Sequence, residues 1–148
     1  MGALVYGLIA AALGAAFTTQ PVINNEIARQ TGSPLWAAMV SIAISLVTMI
    51  AFALTGLAGR FPAERLLGLP IWVTFGGIFG AIFVLSSVWL APIVGTAAFF
   101  TWLVAGQLVG SLVIDHFGWL GIPETPISLW RVAGVAMVIG GALLVKFG

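Results

Sequence analysis

Apolar residues run along this chain in long unbroken blocks, and most polar residues are gathered between them. The blocks cover residues 2–23, 34–59, 70–90, 93–114 and 127–145. A helix needs roughly 20 apolar residues, at about 1.5 Å each, to cross the hydrocarbon core of a bilayer. A transmembrane strand needs only roughly 9–11 residues and alternates in polarity. These blocks are longer and do not alternate, so they read as helices. The apolar stretch from 66 to 114 is too long for one crossing and must fold back on itself. Pro92, just after Trp89-Leu90-Ala91, is the expected break, because proline disrupts a helix interior. The pattern predicts an all-α integral membrane protein, one transmembrane domain of five helices. Consecutive helices are expected to be antiparallel neighbours, because the connections are short. The first block reads as a retained span, since no positively charged segment precedes it as in a signal peptide.

Composition removes the alternatives. Only 6% of the 148 residues are charged, against roughly 25% in a soluble domain. So few charges cannot cover a water-exposed surface, and lipid is the solvent that tolerates the rest. The chain has no Cys and one His. Disulfides, thiolate metal centres and a multi-histidine metal site within one chain are therefore excluded, and no cofactor is implied. A net charge of +1 gives no reason to expect a nucleic-acid partner.

Polar residues inside or at the ends of the spans are the candidate functional groups. In hydrocarbon such a group must find a partner or line a wet cavity. Thr18-Thr19-Gln20-Pro21 precedes Asn24. Pro21 has no N–H for the carbonyl of Phe17, so the helix opens there. Gln20 and Asn24, four apart, share one face and are candidates for binding a ligand. A polar helix end at the membrane surface is the plainer reading of the same residues. On the fourth span, Gln107, Ser111 and Asp115 are spaced by four and form one polar stripe. Gln107 lies near the bilayer centre, where it bonds another helix or lines a path. Asp115 and His116 sit at the membrane edge. Asp115 either pairs with Arg131, which returns on the same side, or forms with His116 a proton-responsive gate. The scattered hydroxyls Ser41, Ser45, Thr48, Ser86, Ser87, Thr96 and Thr101 can each bond their own helix and read as structural.

Trp36, Trp72, Trp89 and Trp130 fall near span ends, as an interfacial belt requires. Trp102 sits inside span four, where it packs between helices or forms a flat apolar wall of a cavity. Gly76, Gly77 and Gly80, and the pair Gly106 and Gly110, have the spacing that lets helices approach closely in lipid. They serve packing within the chain or a face for a second copy. No span centre carries Asp, Glu, Lys, Arg or His, which favours a neutral, amphipathic or weakly anionic substrate.

Counting from the N-terminal side, Arg60, Arg65 and Arg131 lie on one side, and Arg29 and Lys146 on the other. Positive residues favour the cytoplasmic side, but three against two is almost no bias. One reading is a single orientation. The other is insertion both ways, with pairing to an inverted copy; inverted repeats are a common transporter architecture.

The residues also carry a family resemblance. Gln20-Pro21-Val22-Ile23-Asn24, Gly32-Ser33-Pro34 with Ala37-Ala38, and Phe75-Gly76-Gly77-Ile78-Phe79-Gly80-Ala81 are followed by Ala105-Gly106-Gln107-Leu108, Asp115-His116-Phe117-Gly118 and Pro126-Ile127-Ser128 with Arg131 and Gly134. In order and spacing this series resembles the YdcZ-type inner-membrane exporters, five-helix members of the drug/metabolite transporter superfamily. The resemblance implies a bacterial inner-membrane protein working as two five-helix units in opposite orientation. The superfamily's small four-helix members use a carboxylate in the first span, and span one here has none. The functional reading is a small-molecule exporter with alternating access in an antiparallel homodimer. In it Gln20, Asn24, Gln107 and Ser111 line the pathway with Trp102, and Asp115 and His116 gate or couple protons. A non-transporting scaffold subunit and a lipid-moving protein are the alternatives. An enzyme is not indicated, because the Asp115-His116 pair lacks a recognisable nucleophile.

Overall fold

The computed structural model describes residues 2–56, 59 and 63–148. No strand occurs among the described residues, and five helical segments are long and apolar enough to cross a membrane: Leu4–Thr31, Pro34–Leu54, Ile71–Val94, Thr96–Phe117 and Leu129–Phe147. The burial pattern is inverted relative to a soluble protein. The buried apolar residues are nearly all alanines, while large side chains such as Leu4, Leu144 and Trp130 point outward, the last 86% exposed. Lipid is as apolar as leucine, so nothing drives these side chains inward, and small residues let helix backbones meet. The chain divides into two compact units, 1–92 and 93–148.

In the first unit, α1 (Gly2–Phe17) and α2 (Thr19–Thr31) are separated only at Thr18. Pro21 lies in the first turn of α2, where its missing N–H costs nothing. The proline therefore starts a helix here. The sequence pattern assigns residues 24–33 to a connection, whereas helix continues to Thr31. Its last turns are held by a Glu26–Arg29 ion pair at 3.2 Å and a hydrogen bond from Gln30 to Glu26 at 2.9 Å. Leu4–Thr31 spans 28 residues, about 42 Å at helical rise against a core of about 30 Å. Polarity after Asn24 thus marks the end of the apolar block, and the helix carries on beyond it.

The turn into α3 (Pro34–Leu54) takes two residues. Gly32 adopts φ +72° and donates to the carbonyl of Ala28, and the Ser33 hydroxyl accepts from the Trp36 amide. This tight reversal brings Ala28 against Ala37, and Val88 closes over them with Ile27 alongside. The rings of Phe17 and Phe83 stack at 5.7 Å. A short helix, α4 (Ala63–Leu67), and a 3-10 turn, Ile71–Thr74, lead into α5 (Phe75–Val94). Arg60 lies outside the described residues.

The sequence pattern places the third break at Pro92, but α5 runs through it to Val94. A proline in the last turn forfeits one hydrogen bond without reversing the chain. Helix stops after Val94 and resumes at Thr96, across Gly95 with φ +90° and ψ 138°, a conformation that residues with a Cβ rarely adopt.

The second unit is a hairpin of α6 (Thr96–Phe117) and α7 (Leu129–Phe147). Gly118 ends α6 with φ +59°, and the Ser128 hydroxyl caps α7 by accepting from the Arg131 amide. Ala98, Ala105 and Ala142 are its buried apolar residues.

Candidate functional site

Two polar sites emerge, one in each unit. In the first, Gln20 and Asn24 lie one turn apart on the same face of α2, and Gln20 meets α3. The Gln20 amide donates to the Ser41 hydroxyl at 3.2 Å. One turn on, Asn24 is 3% exposed, and its Nδ2 has no hydrogen-bond partner among the described residues. A buried amide without a partner costs about 1–3 kcal/mol, so the position favours any ligand that brings an acceptor. Pro21 in the same helix is fully buried, as is Ser87 of α5, whose hydroxyl returns to the carbonyl of Val84 at 2.7 Å.

The second site is where α6 meets α7. Arg131 reaches Asp115 with one guanidinium nitrogen and the carbonyl of Thr125 with another at 3.2 Å. The amide of Thr125 donates to the Asp115 carbonyl at 2.7 Å. Nδ1 of His116 accepts from the amide of Ile127 at 3.3 Å, which defines it as the unprotonated ring nitrogen. Together these bonds clasp the 118–128 loop onto the helix ends. The other face of the pair opens on a groove of about 340 Å³ lined by Leu108, Ser111, Leu112, Arg131, Gly134 and Val135. The Ser111 hydroxyl bonds the carbonyl of Leu108 at 3.0 Å, and its oxygen keeps accepting capacity.

Of the residues predicted from sequence, Ser111 reaches the groove wall, while Asp115 holds Arg131 there. Gln107 and Trp102 do not line the groove. Both are exposed, Trp102 by 43%, and no side-chain hydrogen bond of Gln107 forms among the described residues. Gly76, Gly77, Gly80, Gly106 and Gly110 have open space where a Cβ would stand. Their close-packing role therefore gains no support from within the chain. Ser45, Thr48, Ser87 and Thr101 bond carbonyls of their own helices.

Two participants escape the sequence reading. The sequence reads Ser41 as a structural hydroxyl, and only the fold brings it to Gln20. Arg131 counted as a partner for Asp115, yet it also forms the charged wall of a groove. Its place in the first turn of a helix was the available signal. The positive end of the helix dipole disfavours a cation there, so an arginine at that position needs an anion. No group of three or more His, Cys, Asp or Glu side chains among the described residues could hold a metal ion.

Comparison with known proteins bears out the resemblance. The family model described as "Putative inner membrane exporter, YdcZ" matches residues 5–144. The chain is 30% identical over 140 residues to the inner membrane protein YdcZ of Escherichia coli (strain K12), covering 93% of this chain and 91% of that protein. No solved structure matches. A family of exporters is one of transporters and not of enzymes. With five helices fit to cross a membrane and a family match over nearly its whole length, the chain belongs to the YdcZ-type family of inner membrane exporters.

Proposed function

We propose that this protein exports a small molecule across a bacterial inner membrane, by alternating access in an antiparallel pair of identical chains. The observation that carries the reading is Gln107. It stands eleven residues from the start of α6 and ten from its end, about 15 Å from either membrane face at helical rise. There it is exposed, with no hydrogen bond among the described residues. An amide facing lipid at that depth has nothing to bond. A second copy, or a path between copies, supplies what the single chain lacks.

Other features are consistent with pairing. The five glycines with open Cβ positions suit a helix face that a second copy covers. The nearly balanced charges suit insertion in both orientations. In this scheme Gln20, Asn24 and Ser41 offer polar contacts along the path of the cargo. Asp115 and His116 act at the loop they clasp. Protonation of His116 turns Nδ1 from acceptor to donor and releases the Ile127 amide, a way for a gate to sense protons.

The test uses the natural absence of cysteine. Gln107→Cys is the only thiol in its variant. Mild oxidation in membranes is expected to give a covalent dimer on a denaturing gel. A chain that stays monomeric, while Met137→Cys on an outward face gives the same result, contradicts pairing through this face of α6.

A further inference from the structure

The clasp between α6 and α7 has two unlike sides. One side holds the loop, and the other presents a charge to an apolar groove. We infer that this groove binds a single-tailed anionic amphiphile, with its phosphate or carboxylate on Arg131 and its apolar tail along Leu108, Leu112 and Val135. The inference rests on the exporter reading for the role of the groove, and it names the class of cargo.

Three observations carry it. First, the charged group in the groove wall is Arg131, while Asp115, its partner, is not part of the lining. The groove therefore offers a cation to its occupant. Second, the pair is only partly buried, with side chains 31% and 29% exposed. A guanidinium has five donors in a planar fork. With one directed at Asp115 and one at Thr125, it retains donors for an incoming oxyanion. Third, about 340 Å³ lies at the small end of the roughly 300–1,000 Å³ typical of small-molecule sites. A single short apolar tail is of that size.

The arrangement also couples cargo to protons. The cargo's oxyanion and the Asp115 carboxylate compete for one guanidinium. Protonating Asp115 frees Arg131 and strengthens anion binding, so the anion is taken up together with a proton. The titratable and charged groups on the surrounding elements are Asp115 and His116 on α6, Glu124 in the loop, and Arg131 and Lys146 on α7, with Lys146 in the last turn of that helix, at the opposite end from Arg131. His116 is engaged with the Ile127 amide, which leaves Asp115 as the competitor at the guanidinium.

Binding to the purified full chain in dodecyl maltoside tests this without needing transport or pairing. The probe is octyl phosphate, and the readout is its concentration-dependent rise in Tm. Octyltrimethylammonium, octanol and phosphatidylglycerol are the comparisons. Octyl phosphate is expected to stabilise the wild type, and the three comparisons are not. Asp115→Asn is expected to bind octyl phosphate about tenfold more tightly, as one competing charge-assisted hydrogen bond disappears. The double variant Asp115→Asn with Arg131→Gln keeps an amide pair in place of the ion pair and is expected to lose the response. Unchanged affinity in Asp115→Asn overturns the inference. So does equal stabilisation by octyltrimethylammonium or octanol, or stabilisation by phosphatidylglycerol alone, which marks a lipid site. Failure here with cross-linking at Gln107→Cys intact removes the cargo class only. Binding without cross-linking removes the paired transporter and leaves the groove.

Discussion

Leucine in place of Gln107 is expected to leave the protein inserted and folded but roughly three- to thirtyfold poorer in transport. Inside the single chain Gln107 does nothing that leucine could not do. It is exposed, centred on α6, and without a hydrogen bond among the described residues. Leucine is a better helix former in lipid and removes a polar atom from it. Expression and the Tm of the monomer should therefore hold or rise slightly. What disappears is whatever the amide meets outside the chain. A hydrogen bond between helices in a membrane contributes about 0.6–2 kcal/mol, and each 1.4 kcal/mol is a factor of about ten in binding. The check is growth protection and efflux in cells, across a panel of single-tailed amphiphiles, with Gln107→Asn alongside. Asparagine should recover part of the activity, because it keeps the amide on a shorter stem. Full transport by Gln107→Leu removes the residue from the mechanism.

The second large effect is on stability. Arg131→Ala is expected to cost about 1–3 kcal/mol, the range for a hydrogen bond to a charged group discounted for partial exposure. The substitution removes the donors to Asp115 and to the Thr125 carbonyl together. It also leaves the Asp115 carboxylate unpaired at a membrane edge. The 118–128 loop keeps the Thr125 amide bond to Asp115 and the Ile127 amide bond to His116 but loses the side-chain clasp. The signature is a lower Tm in detergent with faster protease cleavage within 118–128. Arg131→Lys should fall between, since an ammonium is a compact point charge and cannot hold both partners as the planar fork does. A Tm and cleavage rate equal to wild type in Arg131→Ala remove the clasp as a stabilising feature.

The helices themselves were legible because hydrocarbon imposes a simple rule. A block of roughly 20 apolar residues has one stable use in a membrane. Their ends were less legible. Polar residues after Asn24 suggested a loop, but Glu26, Arg29 and Gln30 bond one another along a helix that has already left the apolar block. Pro92 suggested the end of a helix, but helix runs on to Val94, and Gly95, whose backbone is not helical, interrupts it. At the sites, spacing by four puts Ser111 and Asp115 on one side of α6, and of the two readings of Asp115 the ion pair with Arg131 forms. The bond from Gln20 to Ser41 joins residues 21 apart. It depends on how closely α2 and α3 meet, which alanines at 28, 37 and 38 decide and which no local pattern announces.

The orientation of the chain in cells tests the paired exporter most directly. Reporters that are active on one side of the membrane only can be fused after Lys146 and, separately, at the N-terminus. An antiparallel homodimer predicts that each end reports on both sides, in comparable amounts. An N-terminus and a C-terminus that each report on a single side contradict a self-paired inverted dimer, and would place the second half of the transporter in a different, oppositely oriented protein.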